Sequence, residues 1–107
     1  MASEILIVDD EKDIRALISG ILTDEGYETR EAWDADSALT EIGARKPSLV
    51  LLDIWLRGSR VDGIGLLKEI LARYADLPVI MISGHGNIET AVQAIQFGAY
   101  DYIEIII

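Results

Sequence analysis

Apolar residues gather in four short runs, Ile5–Val8, Leu49–Leu52, Val79–Ile82 and Tyr100–Ile103, and between them apolar positions recur every three or four residues. A short apolar run bounded by turn residues has the pattern of a strand buried on both faces, and the longer recurrence that of a helix with one inward stripe. After the first run, Ile14, Leu17, Ile18, Ile21 and Leu22 predict an inward helical face, with Arg15, Asp24 and Glu25 off it and Gly26 as the stop. Tyr27–Ala32 reads as a more polar second strand, suited to a sheet edge. Asp34 is placed to cap a second helix carrying Ala38, Leu39 and Ile42, which Lys46-Pro47 closes. A third helix from about Gly63 to Tyr74 buries Leu66, Leu67, Ile70 and Leu71. Leu77-Pro78 introduces the fourth strand, Asn87 is placed to cap a fourth helix with Ile88, Ala91, Val92 and Ile95 inward, and Gly98-Ala99 turns into the fifth strand.

Strands alternating with helices predict an α/β fold in which a parallel sheet is covered on both faces. Right-handed crossovers and neighbour pairing favour a flavodoxin-like, three-layer α/β/α arrangement with five strands in the order 2-1-3-4-5. Open sheets of this kind build ligand sites beyond the carboxyl ends of their strands. Three runs end there in chemistry: the first in Asp9 and Asp10, the third strand in Asp53, the fourth in Ser83. An Asp-Asp pair taken alone is more often a helix cap with a solvated carboxylate. Three aspartates meeting at adjacent strand ends repel one another, and a cluster of oxygen donors suits a hard cation such as Mg²⁺. The expected chemistry is metal-assisted and centred on an aspartate.

Composition narrows the possibilities. With 107 residues the chain is expected to be one domain, 1–107, and 50% hydrophobic residues suffice for a core. A net charge of −10 argues against direct contact with nucleic acid or an anionic membrane. The chain has no cysteine for disulfides or thiolate metal sites, and no apolar run of signal-peptide or membrane-spanning length. The expected location is cytoplasmic.

The segments Ile7-Val8-Asp9-Asp10-Glu11, Leu51-Leu52-Asp53-Ile54, Asp62-Gly63, Met81-Ile82-Ser83-Gly84-His85-Gly86 and Gly98-Ala99-Tyr100-Asp101-Tyr102-Ile103 together resemble the receiver domain of two-component response regulators. Ser83–Val92 and Trp55–Asp62 narrow the resemblance to the NtrC/NtrX nitrogen-regulation group. The resemblance covers nearly the whole chain and implies a CheY-like fold. It makes Asp53 the phosphoacceptor for a sensor histidine kinase, with Mg²⁺ held by Asp10, Asp53 and the Trp55 backbone carbonyl, and by Asp9 directly or through water. Ser83 would bond the phosphoryl group, and Tyr102 would be the switch aromatic, its plainer reading being an ordinary strand-edge tyrosine. The domain would catalyse at most its own phosphorylation and dephosphorylation, form a homodimer through the strand 4/strand 5 side and control a transcription-regulating output. His85, the sole histidine, has no catalytic role in this reading, although it and Trp55 would flank the phosphate and limit hydrolytic water.

Two departures from the family pattern stand out. The segment Trp55–Val61 is longer and more basic than the usual loop, and Ile105 stands where the family has lysine, with no fifth helix in this chain. A lysine there would contribute a charge-assisted bond of roughly 1.5–3 kcal/mol. Without that helix, bare apolar sheet surface invites self-association. A shortened or altered receiver is expected, and two alternatives remain: a pseudo-receiver interaction module without lysine-dependent switching, and an aspartate-based Mg²⁺-dependent phosphohydrolase. The second lacks an acid two residues after Asp53, where Trp55 sits.

Overall fold

The computed structural model describes residues 3–84 and 88–105. Strands and helices alternate as β1 (Glu4–Val8), α1 (Lys12–Asp24), β2 (Glu28–Ala32), α2 (Ala35–Ala44), β3 (Leu49–Asp53), α3 (Gly63–Arg73), β4 (Val79–Ser83), α4 (Ile88–Gln96) and β5 (Asp101–Glu104). All strand pairs are parallel and the sheet order is β2-β1-β3-β4-β5, as the sequence pattern predicts.

Alternate side chains of each strand serve opposite faces. Leu6 and Val8 of β1 join Val50, Leu52, Val79 and Met81 against α2, α3 and α4, while Ile5 and Ile7 join Ile18 of α1 and Ile82 on the other face. Both faces are thus apolar, which explains why β1, β3 and β4 are continuous hydrophobic runs. The edge strand β2 tolerates polarity because Arg30 is paired with Glu4 at 2.9 Å and Glu41 at 3.1 Å.

Helix caps follow local chemistry. The Asp34 carboxylate accepts from the Ser37 N–H at 2.7 Å, and the Ser37 hydroxyl accepts in turn from the Asp34 N–H at 3.1 Å, a reciprocal cap for α2. Asp62 caps α3 by accepting from the Gly65 N–H at 2.8 Å.

Several expectations need correction. β2 begins at Glu28 rather than Tyr27, β5 runs one residue later than Tyr100–Ile103, and α3 ends at Arg73, with Tyr74 as its C-cap. Leu17 and Ile21 are exposed, because α1 is the one helix on its sheet face among the described residues and its flanks meet no neighbour. On α4 the inward position belongs to Ala94, while Ile88, Val92 and Ile95 point to solvent and Ala91 is half-buried. A small residue lets this short helix approach the core, so its bulky stripe is displaced outward. The expected Asn87 cap and His85 lie outside the described residues.

Candidate functional site

The strand register brings the acids together. Val8 pairs with Leu52, so Asp9 and Asp53, each one residue further on, stand at neighbouring strand ends. Carboxylate oxygens of Asp9, Asp10 and Asp53 all lie within 4.8 Å of one another.

Asp9 is the most buried of the three, only 5% exposed. Its N–H donates to the Ala32 carbonyl at 3.1 Å, and its carboxylate accepts from the Glu11 N–H at 2.8 Å. Its own carbonyl accepts from Arg15 Nη1 at 2.7 Å. Asp53, half-buried, accepts a hydrogen bond from the backbone N–H of Trp55. The resemblance implies a role for the Trp55 carbonyl at the metal and none for this N–H.

The electrostatics reflect crowding. Burial first, then the neighbouring Asp9, push the Asp53 carboxyl up to about 7, against the opposing Trp55 hydrogen bond. Asp9 is pushed up to about 6, again chiefly by burial, with Asp10 and Glu11 adding to the rise and the Glu11 hydrogen bond and Arg15 opposing it. These are carboxylates short of positive charge. An all-oxygen donor set of this kind fits a Mg²⁺-like cation, whose binding would relieve the repulsion.

Asp53 is also fixed from behind. A Cβ added to Gly63 would stand 2.1 Å from the Asp53 carbonyl oxygen and 2.7 Å from Ile54 Cα, and the Gly63 N–H donates to the Ile54 carbonyl at 2.9 Å. Only glycine permits this approach of α3 to the end of β3. The segment between them is anchored at several points. Ser59 Oγ accepts from the Ala35 N–H at 2.9 Å, and Arg60 reaches Asp36 at 3.3 Å and Glu69 at 3.2 Å.

Ser83 ends β4 with 2% exposure, adjacent to Ile82, the register partner of Asp53. Tyr102 is half-buried and packs against the larger core cluster; its hydroxyl is buried without a hydrogen-bond partner among the described residues. Ile105 packs against the Ile5, Ile7, Ile18 and Ile82 cluster, and its N–H donates to the Ser83 carbonyl at 2.8 Å. A cavity of about 410 Å³ opens beside Trp55 between α3 and α4, lined by none of the three carboxylates.

Together the fold and the acidic strand ends define a signalling receiver. Residues 5–104 match the response regulator receiver domain, and the chain belongs to that family. It is 64% identical over 104 residues to the nitrogen assimilation regulatory protein NtrX of Azorhizobium caulinodans, covering 97% of this chain but 23% of that protein. The crystal structure of the receiver domain of NtrX from Brucella abortus superposes with a TM-score of 0.90 at 68% identity, covering 94% of this chain and 83% of that one. A response regulator from Burkholderia pseudomallei, crystallised with a phosphorylated aspartic acid, calcium ion and citrate, gives a TM-score of 0.86 at 28% identity over 95% of this chain and 59% of that one. Among the described residues no helix is long and apolar enough to cross a membrane.

Proposed function

We propose that this domain accepts a phosphoryl group on Asp53 from a sensor histidine kinase and passes the change to a transcription-regulating output in the cytoplasm. The observation that carries the reading is the cluster of Asp9, Asp10 and Asp53 with oxygens within 4.8 Å at adjoining strand ends. The phosphorylated aspartate and calcium ion of the Burkholderia pseudomallei relative support it.

Asp53 in its ionised form attacks phosphorus through a carboxylate oxygen, the P–N bond of the donor phosphohistidine breaks, and the imidazole nitrogen leaves with the bonding pair. Asp9, Asp10, Asp53 and the Trp55 carbonyl would hold Mg²⁺, which when bound neutralises charge on the phosphoryl oxygens. The Trp55 N–H orients the attacking carboxylate. Ser83 Oγ supplies a hydrogen bond to the phosphoryl product from the end of β4. Tyr102 relays the change, and its hydroxyl, which has no hydrogen-bond partner among the described residues, supports that role because a side chain lacking an inward hydrogen bond gains one by turning to water. The apolar Ile88, Val92, Ile95, Tyr100 and Ile103 exposed on α4 and around β5 support homodimerisation through the β4/β5 side. Light scattering of an Ile95→Glu variant tests this: loss of a dimer supports it, and an unchanged mass contradicts it.

The domain would act on itself rather than as an enzyme on free substrates. Incubation with acetyl phosphate and Mg²⁺ should add one phosphoryl group by intact mass. Sustained phosphate release from a small phosphomonoester would instead favour a phosphohydrolase.

A second reading, a pseudo-receiver without lysine-dependent switching, is favoured by Ile105 in the apolar cluster. Ile105→Lys should lengthen the lifetime of the phosphorylated form if a cation is what the site lacks. An unchanged lifetime favours the pseudo-receiver.

A further inference from the structure

We propose that Arg15 is a positioning residue for the acidic site, setting where Asp9 presents its carboxylate and thereby the affinity for a divalent cation. The inference rests on reading Asp9, Asp10 and Asp53 as a cation site.

Arg15 projects from the first turns of α1 and uses its guanidinium as a fork. Nη1 donates to the Asp9 carbonyl at 2.7 Å, and Nε donates to Glu31 Oε1 of β2 at 3.1 Å. Its side chain is 12% exposed, so the fork is held in a partly dry environment. Asp9 lies just beyond β1, where the sheet ladder ends and the chain turns into α1. At that point its remaining restraints are the Ala32 carbonyl and the Glu11 N–H. Arg15 adds a second tie between the turn and β2, through the Glu31 side chain, beside the Asp9 N–H bond to the Ala32 carbonyl. The planar, two-pronged geometry is one that lysine cannot reproduce.

Charge and position make opposite predictions. A cation beside three carboxylates opposes Mg²⁺ electrostatically, so removing Arg15 for its charge alone should tighten binding. Removing it as a positioning group should weaken binding, by about tenfold if it behaves as outer-sphere partners of metal ligands do.

The test is calorimetric titration of Mg²⁺ into the full chain and its Arg15→Met and Arg15→Lys variants, with melting curves taken without Mg²⁺. The half-saturating Mg²⁺ concentration and the plateau rate of acetyl phosphate labelling are measured alongside. A merely structural role lowers the melting temperature and leaves the affinity of the folded protein unchanged. Positioning raises the dissociation constant about tenfold in Arg15→Met, raises it also in the charge-preserving Arg15→Lys, and shifts the half-saturating Mg²⁺ concentration more than the plateau rate. Equal or tighter Mg²⁺ binding in both variants overturns the inference. Should Arg15→Met fail to fold, Arg15→Lys decides by the same criterion. A wild-type chain that binds no Mg²⁺ overturns this inference together with the cation-site reading, whereas wild-type binding with unaffected variants overturns this inference alone.

Discussion

Gly63 and Asp53 meet backbone to backbone: a methyl group on Gly63 would lie 2.1 Å from the Asp53 carbonyl oxygen. The start of α3 therefore serves as the floor on which the proposed phosphoacceptor rests. Because the obstructing atoms are main chain, neither side can yield by a rotamer change. Gly63→Ala should destabilise the protein by roughly 1–3 kcal/mol, the usual cost of overpacking, and slow labelling of Asp53 in the fraction that remains folded. Urea denaturation and acetyl phosphate labelling check both effects.

The raised carboxyls make stability depend on pH. Asp9 and Asp53 are pushed to about 6 and about 7, above an ordinary value of 3.8, so the folded state holds protons that the unfolded chain has already released. Their contribution is fully present below about pH 4 and is lost as pH rises through 6 to 7. Without divalent cation, this contribution to the melting temperature should therefore fall between pH 5 and pH 8. Mg²⁺ should restore more stability at pH 8 than at pH 5, and Asp10→Ala should blunt that gain. Thermal melts at the two pH values, with and without Mg²⁺, measure it.

Much of this arrangement was legible in the amino-acid pattern, for definite reasons. Continuous apolar runs such as Leu49–Leu52 identify strands covered on both faces, and a parallel sheet necessarily brings their carboxyl ends, with Asp9, Asp10 and Asp53, to one side. Asp34 could be assigned as a cap because its role is local. What escaped depends on three-dimensional approach. The Arg15 fork links α1, β2 and the turn after β1, and Arg15 in the sequence is merely a polar residue off an apolar stripe. Gly63 could be recognised beside Asp62, but not its contact with Asp53. Helical periodicity marks Leu17, Ile21, Ile88, Val92 and Ile95 as apolar without showing that they lie exposed among the described residues.

Tyr102 offers a test of the switch independent of metal. A buried hydroxyl with no partner is unfavourable, and that of Tyr102 has none among the described residues, so Tyr102→Phe should stabilise the unphosphorylated domain by about 1 kcal/mol. Phosphorylation of Asp53 should persist in this variant, while transmission to β5, read by amide hydrogen exchange over Asp101–Glu104, should diminish. An equal or lower stability would mean that the hydroxyl is satisfied in solution.

The central claim is that Asp53 is the nucleophilic carboxylate that accepts the phosphoryl group. Wild-type protein and Asp53→Asn, a near-isosteric change that removes the nucleophile, should be treated side by side with acetyl phosphate and Mg²⁺ and analysed by intact mass and peptide mapping. The account predicts one phosphoryl group on the wild type, mapped to Asp53, and none on a folded Asp53→Asn. Equal labelling of the two proteins, or a phosphoryl group mapped to another residue, would contradict it.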